Sequence, residues 1–164
     1  LGIVEHQVVQ TVLDHEEGLG LRGIPGSALG DHPDIATGAE AALAGVIERT
    51  ITMMERAGAR RSRIVAAIGP CIAQASYEVG PEYEARFLAD APQNARFFVP
   101  GDGDRRRFDL KAFCASRLRT AGVAAVDMLP DDTFADEAAW ISHRRSVKLG
   151  QPDYGRNLSA IVLD

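Results

Sequence analysis

The sequence predicts an α+β domain, mixed β-sheets flanked by helices, spanning residues 1–164 as a single unit. Three observations carry that class. Ile64–Ile68 is an unbroken apolar run rich in branched side chains, the signature of a buried strand. Leu43, Val46, Ile47, Ile51 and Met54 recur at spacings of three and four, the period of a helix with one apolar face. Helical and strand-like segments follow one another without strict βαβ alternation, which excludes a purely doubly wound sheet.

Taken in order, Leu1–Val4 and Val8–Leu13 read as short strands, and residues 14–34, rich in Gly, Asp and His, read as loop. Thr37 and Glu40 have the spacing of a capping box, so a single helix is expected to open there and close at Gly58. After the strand at Ile64–Ile68, Pro81 is suited to the first turn of a helix running to about Ala89. Phe97–Val99 reads as a short strand followed by the loop Pro100–Gly103. Arg105, Arg106 and Arg107 read as a solvated loop leading into a helix from Asp109 to Ala121, with Gly122 ending it. Val123–Leu129, Trp140–Ser142 and Ser159–Leu163 complete the list of expected strands, the last two joined by an arginine-rich turn. Residues 1 to about 40 carry the weakest periodicity and are expected to be divergent or truncated.

Composition narrows the function. A net charge of -5 argues against non-specific nucleic-acid binding, which needs a basic footprint. No apolar run approaches the roughly 20 residues of a membrane helix. Two cysteines far apart in sequence, Cys71 and Cys114, make no disulfide framework, so a reducing cytoplasm is expected. No signal peptide is legible, and a chain that begins Leu1-Gly2 without Met is expected to start inside a longer protein.

Candidate chemistry gathers at two strand ends. Gly69-Pro70-Cys71 is expected to expose a thiol that acts as nucleophile or metal ligand, against the alternative of a small buried residue filling a turn. Cys114 falls on the apolar face of its helix and is expected in the core. Ser142, Arg144, Arg145 and Arg156 bracket one loop and have the donors to grip phosphate or carboxylate, or else they form a solvated turn. His143 stands among them as acid, base or ligand, or as a buried structural histidine. His6, His15 and His32 lack the spacing of a compact metal motif.

Three segments, AAIGPCIAQASYEVGPEYEARF, FDLKAFCASRLRTAGV and DTFADEAAWISHRRSVKLGQPDYGRNLSAIVL, resemble in order those of the YfiH-type laccase-domain family, over about Ala42–Asp164. This family is also described as multicopper polyphenol oxidase-like, or as purine nucleoside phosphorylase and adenosine deaminase-like. The resemblance implies an α+β fold, a cytoplasmic location, and zinc-assisted attack at the ribosyl carbon or the purine ring of a nucleoside, with phosphate as co-substrate. Copper has also been claimed for the family.

The chain departs from the family at the metal. His6-Gln7-Val8-Val9 resembles the family's QVH motif, but Val9 stands at the ligand position. No Ala-Asp-Cys occurs, and Ala36–Glu40 stands where HAGW belongs. Valine and alanine have no lone pair to offer zinc. His143 stands where the family usually has Tyr. Cys71, Ser142, Arg144, Arg145, Gly155 and Arg156 match. Three readings follow: a family enzyme acting on purine nucleosides whose metal site is built differently or completed by sequence outside this chain, a non-catalytic relative that keeps a nucleoside or phosphate pocket, and a metal-free hydrolase using Cys71 with His143 as base.

Overall fold

A computed structural model describes residues 7–11, 38–153, 155 and 157. Two three-stranded sheets form the frame. In the first, β1 (Gln7–Thr11), β2 (Ile64–Ile68) and β6 (Ala125–Met128) run parallel in the order β1-β2-β6. In the second, β5 (Arg106–Phe108) lies antiparallel between β3 (Glu78–Val79) and β4 (Phe98–Pro100). The α+β class therefore holds, with parallel and antiparallel pairing segregated into separate sheets. β2 is central in its sheet, and Ile64, Ala66 and Ile68 are all fully buried, which is why it reads as a continuous apolar run.

Where one helix was expected after Thr37, there are two: α1 (Gly38–Leu43) and α2 (Val46–Arg56). Gly45, at φ 85°, breaks them, because this left-handed conformation cannot continue a right-handed helix. Pro81 opens α3 (Pro81–Asp90), as its fixed φ and missing N–H favour. Asp109 caps α4 (Leu110–Thr120) by accepting from the Ala112 amide at 2.9 Å, and Gly122, at φ 80°, follows it.

The core sits between the sheets and α2, α3 and α4. Phe108, on β5, is completely buried, with its ring 4.7 Å from those of Phe87 and Phe98 and 5.7 Å from Phe113. Burial of each such side chain contributes about 1.5–3 kcal/mol. Cys114 lies in this core as expected, and its thiol is pushed above its ordinary range mainly by burial, then by the nearby Cys71.

Three further expectations are overturned. Arg106 and Arg107 belong to a strand, since Phe108 pulls the segment into the core while Arg106 pairs outward with Glu84 at 2.8 Å. His143–Lys148 is a helix, α5, and not a turn between strands. Ser142 caps it, its hydroxyl accepting from the Arg145 amide, and Trp140–Ser142 forms no strand. The strands expected at Leu1–Val4 and Ser159–Leu163 lie outside the described residues.

Candidate functional site

The loop that follows β2 and the segment that follows β6 meet at the carboxyl ends of the parallel strands. This edge is where open α/β sheets commonly bind ligands. Residues 71 and 132 form an isolated parallel bridge, with the Thr133 amide donating to the Cys71 carbonyl at 3.3 Å. Asp132 holds the junction. One carboxylate oxygen accepts from the amides of Ala73 (3.2 Å) and Phe134 (3.0 Å), and the other accepts from the Ser76 hydroxyl at 2.6 Å.

Cys71 is enclosed, with none of its surface exposed. This corrects the expectation of an exposed thiol and bears out the alternative of a small buried residue filling a turn: the residue after Pro70 turns into the core, and the segment at Asp132 and Thr133 bridges to the loop. A substrate cannot reach the sulfur in this conformation.

The paired arginines bind backbone. Arg145 donates through one nitrogen to the carbonyls of Thr133 and Phe134, both at 2.8 Å, and through another to the carbonyl of Trp140. Arg144 donates to the Glu78 carbonyl at 2.7 Å and lies 5.0 Å over the Tyr77 ring. Burial raises the Tyr77 hydroxyl above its ordinary value; its bond to Tyr83 and the Arg144 charge oppose the rise. Ser142 is buried beneath the first turn of α5, and His143 is the first residue of that helix, half-buried. Thus α5 brings Ser142, His143, Arg144 and Arg145 together, while Cys71 joins them through the 131–134 segment. Arg156 lies outside the described residues, as do His6, His15 and His32.

Sequence reading missed Asp132 and Lys111. The Lys111 ammonium donates to the carbonyls of Leu129 (2.8 Å) and Asp131, tying α4 to the end of β6. Both lie inside the segments that carry the family resemblance, but their roles depend mainly on contacts distant in the chain, 18 positions from Lys111 to Leu129 and 59 from Asp132 to Ala73. Two clefts flank the junction. One, of about 310 Å³, lies against α5 and is lined by Trp140, Ser142, Arg145, Ser146 and Gln151 among others. The other, of about 380 Å³, lies at the end of β6.

The metal implied by the family does not fit this part of the chain. Among the described residues no three His, Cys, Asp or Glu side chains converge as a metal-binding group, and the thiol of Cys71 is sealed in the core.

The fold and its matched segments define a laccase-domain protein. Residues 35–164 match the model of the multi-copper polyphenol oxidoreductase laccase family, and the chain belongs to that family. It is 38% identical over 120 residues to a purine nucleoside phosphorylase of Rickettsia conorii, covering 72% of this chain and 49% of that protein. The purine nucleoside phosphorylase YfiH of Escherichia coli is 29% identical over 109 residues, covering 66% of this chain and 43% of that protein. A Neisseria meningitidis protein of family DUF152 superposes with a TM-score of 0.61 at 26% identity, over 66% of this chain and 44% of the other. The chain spans about half the length of the curated relatives it matches. No helix among the described residues is long and apolar enough to cross a membrane.

Proposed function

We propose that this chain carries part of a purine nucleoside phosphorylase-type site, binding a purine nucleoside together with phosphate. The observation that carries the reading is its 38% identity, over 72% of its length, to a relative with that name. In the reaction a phosphate oxygen bonds to the ribosyl carbon as the glycosidic carbon–nitrogen bond breaks. The bonding pair departs on the base nitrogen, which takes up a proton.

Within this reading Arg144 and Arg156 are the phosphate ligands. Only one Arg144 nitrogen is engaged with backbone among the described residues, so the guanidinium keeps donors for an oxyanion. Arg145 and Ser142 act as positioning residues, fixing α5 and the segment over Cys71. His143, at the start of the same helix, stands beside these phosphate ligands as an acid–base group. Two buried cysteines outside any disulfide suit a reducing cytoplasm.

Zinc-assisted deamination of adenosine and copper chemistry, which the family resemblance implies, find no fitting donor set among the described residues. A second reading has its own support: Val9 at the position of a family ligand and the enclosure of Cys71 favour a relative that binds nucleoside without turning it over. The same enclosure removes the main support for a Cys71 hydrolase.

The test is incubation of the full chain with inosine, with and without phosphate, and with adenosine, with and without added zinc. Free purine base released only when phosphate is present supports the phosphorylase reading. Nucleoside binding without turnover selects the non-catalytic relative. Neither binding nor turnover overturns both.

A further inference from the structure

We infer that the 380 Å³ cleft at the end of β6 is the seat of the purine base, separate from the arginines of α5; this rests on the nucleoside reading above. Its volume lies in the range of small-molecule sites. Its lining is largely apolar, with Met128, Leu129, Pro130, Ala73 and Ala112. Met128 and Leu129 are 45% and 49% exposed, two of the large apolar side chains that this fold leaves at its surface. Their exposure supplies the flat apolar contact that an aromatic heterocycle needs.

The polar lining is held rigid by the fold while keeping unused valences. Gln74 donates its amide to the carbonyls of Phe97 (3.4 Å) and Arg107 (3.5 Å), which fixes the side chain and leaves its own oxygen as an acceptor. Asp109 uses one carboxylate oxygen to cap α4, and the other has no partner among the described residues. Lys111 commits two of its three protons to Leu129 and Asp131, so a single N–H remains.

Two acceptors and one donor between apolar walls match the edge of a purine, which offers N–H donors beside ring-nitrogen acceptors. The same set disfavours phosphate, because the Asp109 carboxylate repels an anion and only one N–H is available to hold it. Base and phosphate are thereby separated: the base beside β6, the anion at Arg144. The loop from Cys71 to Tyr77 connects them, with Ala73 and Gln74 lining the cleft and Tyr77 beneath the Arg144 guanidinium.

The chain has three methionines, Met53, Met54 and Met128, of which only Met128 lines the cleft. The experiment is a titration of the full chain, labelled with carbon-13 at the methionine methyls, with adenosine, then adenine, then inorganic phosphate, alongside calorimetry. Met128→Leu identifies the Met128 signal. Adenosine and adenine should shift that signal and leave the Met53 and Met54 signals in place, and phosphate should move none. Leu129→Glu should weaken adenosine binding at least tenfold. Calorimetric binding of adenosine with the Met128 signal unmoved and Leu129→Glu without effect would overturn the cleft while sparing the nucleoside reading. Absence of any adenosine binding would sink both.

Discussion

The aromatic centre and the segment from Asp131 to Leu149 are held together by different physics. Around Phe108, five aromatic rings lie within 4.7–5.8 Å of its centroid, and order comes from close-packed apolar burial. Residues 135–139 are exposed, and this segment is ordered by charged side chains gripping backbone: Arg145 on three carbonyls, Asp132 on two amides and a hydroxyl, Lys111 on two carbonyls. Packing spreads stability over many weak contacts, whereas the stapled segment concentrates it in three residues. Such a segment can open without unfolding the domain, which suits a region bordering two clefts.

The contrast is broken most strongly from the packed side. Phe108→Ala should cost about 3–5 kcal/mol, because a large cavity opens among rings that cannot close over it. Chemical denaturation measures this, and a cost below about 1 kcal/mol would deny the centre its role.

On the stapled side, Arg145→Met keeps the length of the chain but removes the donors. It should cost about 2 kcal/mol, less than the full loss of three charged hydrogen bonds because water can reach the loop. Limited proteolysis should then cut within 133–140 first. Asp132→Ala should cost about 1–2 kcal/mol, and its signature is faster exchange of the Ala73 and Phe134 amides.

The smallest effect is a pH dependence of the packed side. Burial raises both Cys114 and Tyr77 above their ordinary values of 9.0 and 10.0, so the folded state holds these protons longer than the unfolded chain does. Their stabilisation is complete below pH 9 and declines as pH rises through 9 and 10 and beyond. Melting temperature should therefore fall above pH 9, and in Cys114→Ala the decline should begin nearer pH 10.

The packed region was the legible one. Strand β2, the apolar face of α2, Pro81 at the start of α3 and Cys114 in the core all follow from local periodicity and backbone chemistry, which neighbouring residues determine. The stapled region was misread for a physical reason. Ser142–Lys148 is short and polar, and its helix exists because Ser142 caps it and because Arg144 and Arg145 reach carbonyls as far away as Glu78. Cys71 was expected outside because a Gly-Pro turn looks exposed; the segment that covers it arrives from about 60 residues downstream. Arg106 and Arg107 looked solvated, and only Phe108 told of the strand. At the candidate site, the matching residues Ser142, Arg144 and Arg145 were readable by type, but the backbone each one holds was not.

The most direct test of this division is amide hydrogen exchange across the full chain, comparing the native protein with Arg145→Met. The account predicts that the amides of Thr133, Phe134, Asp136 and Trp140 lose protection while those of Phe108 and Phe113 keep theirs. A uniform loss across both regions, or none in either, would contradict it.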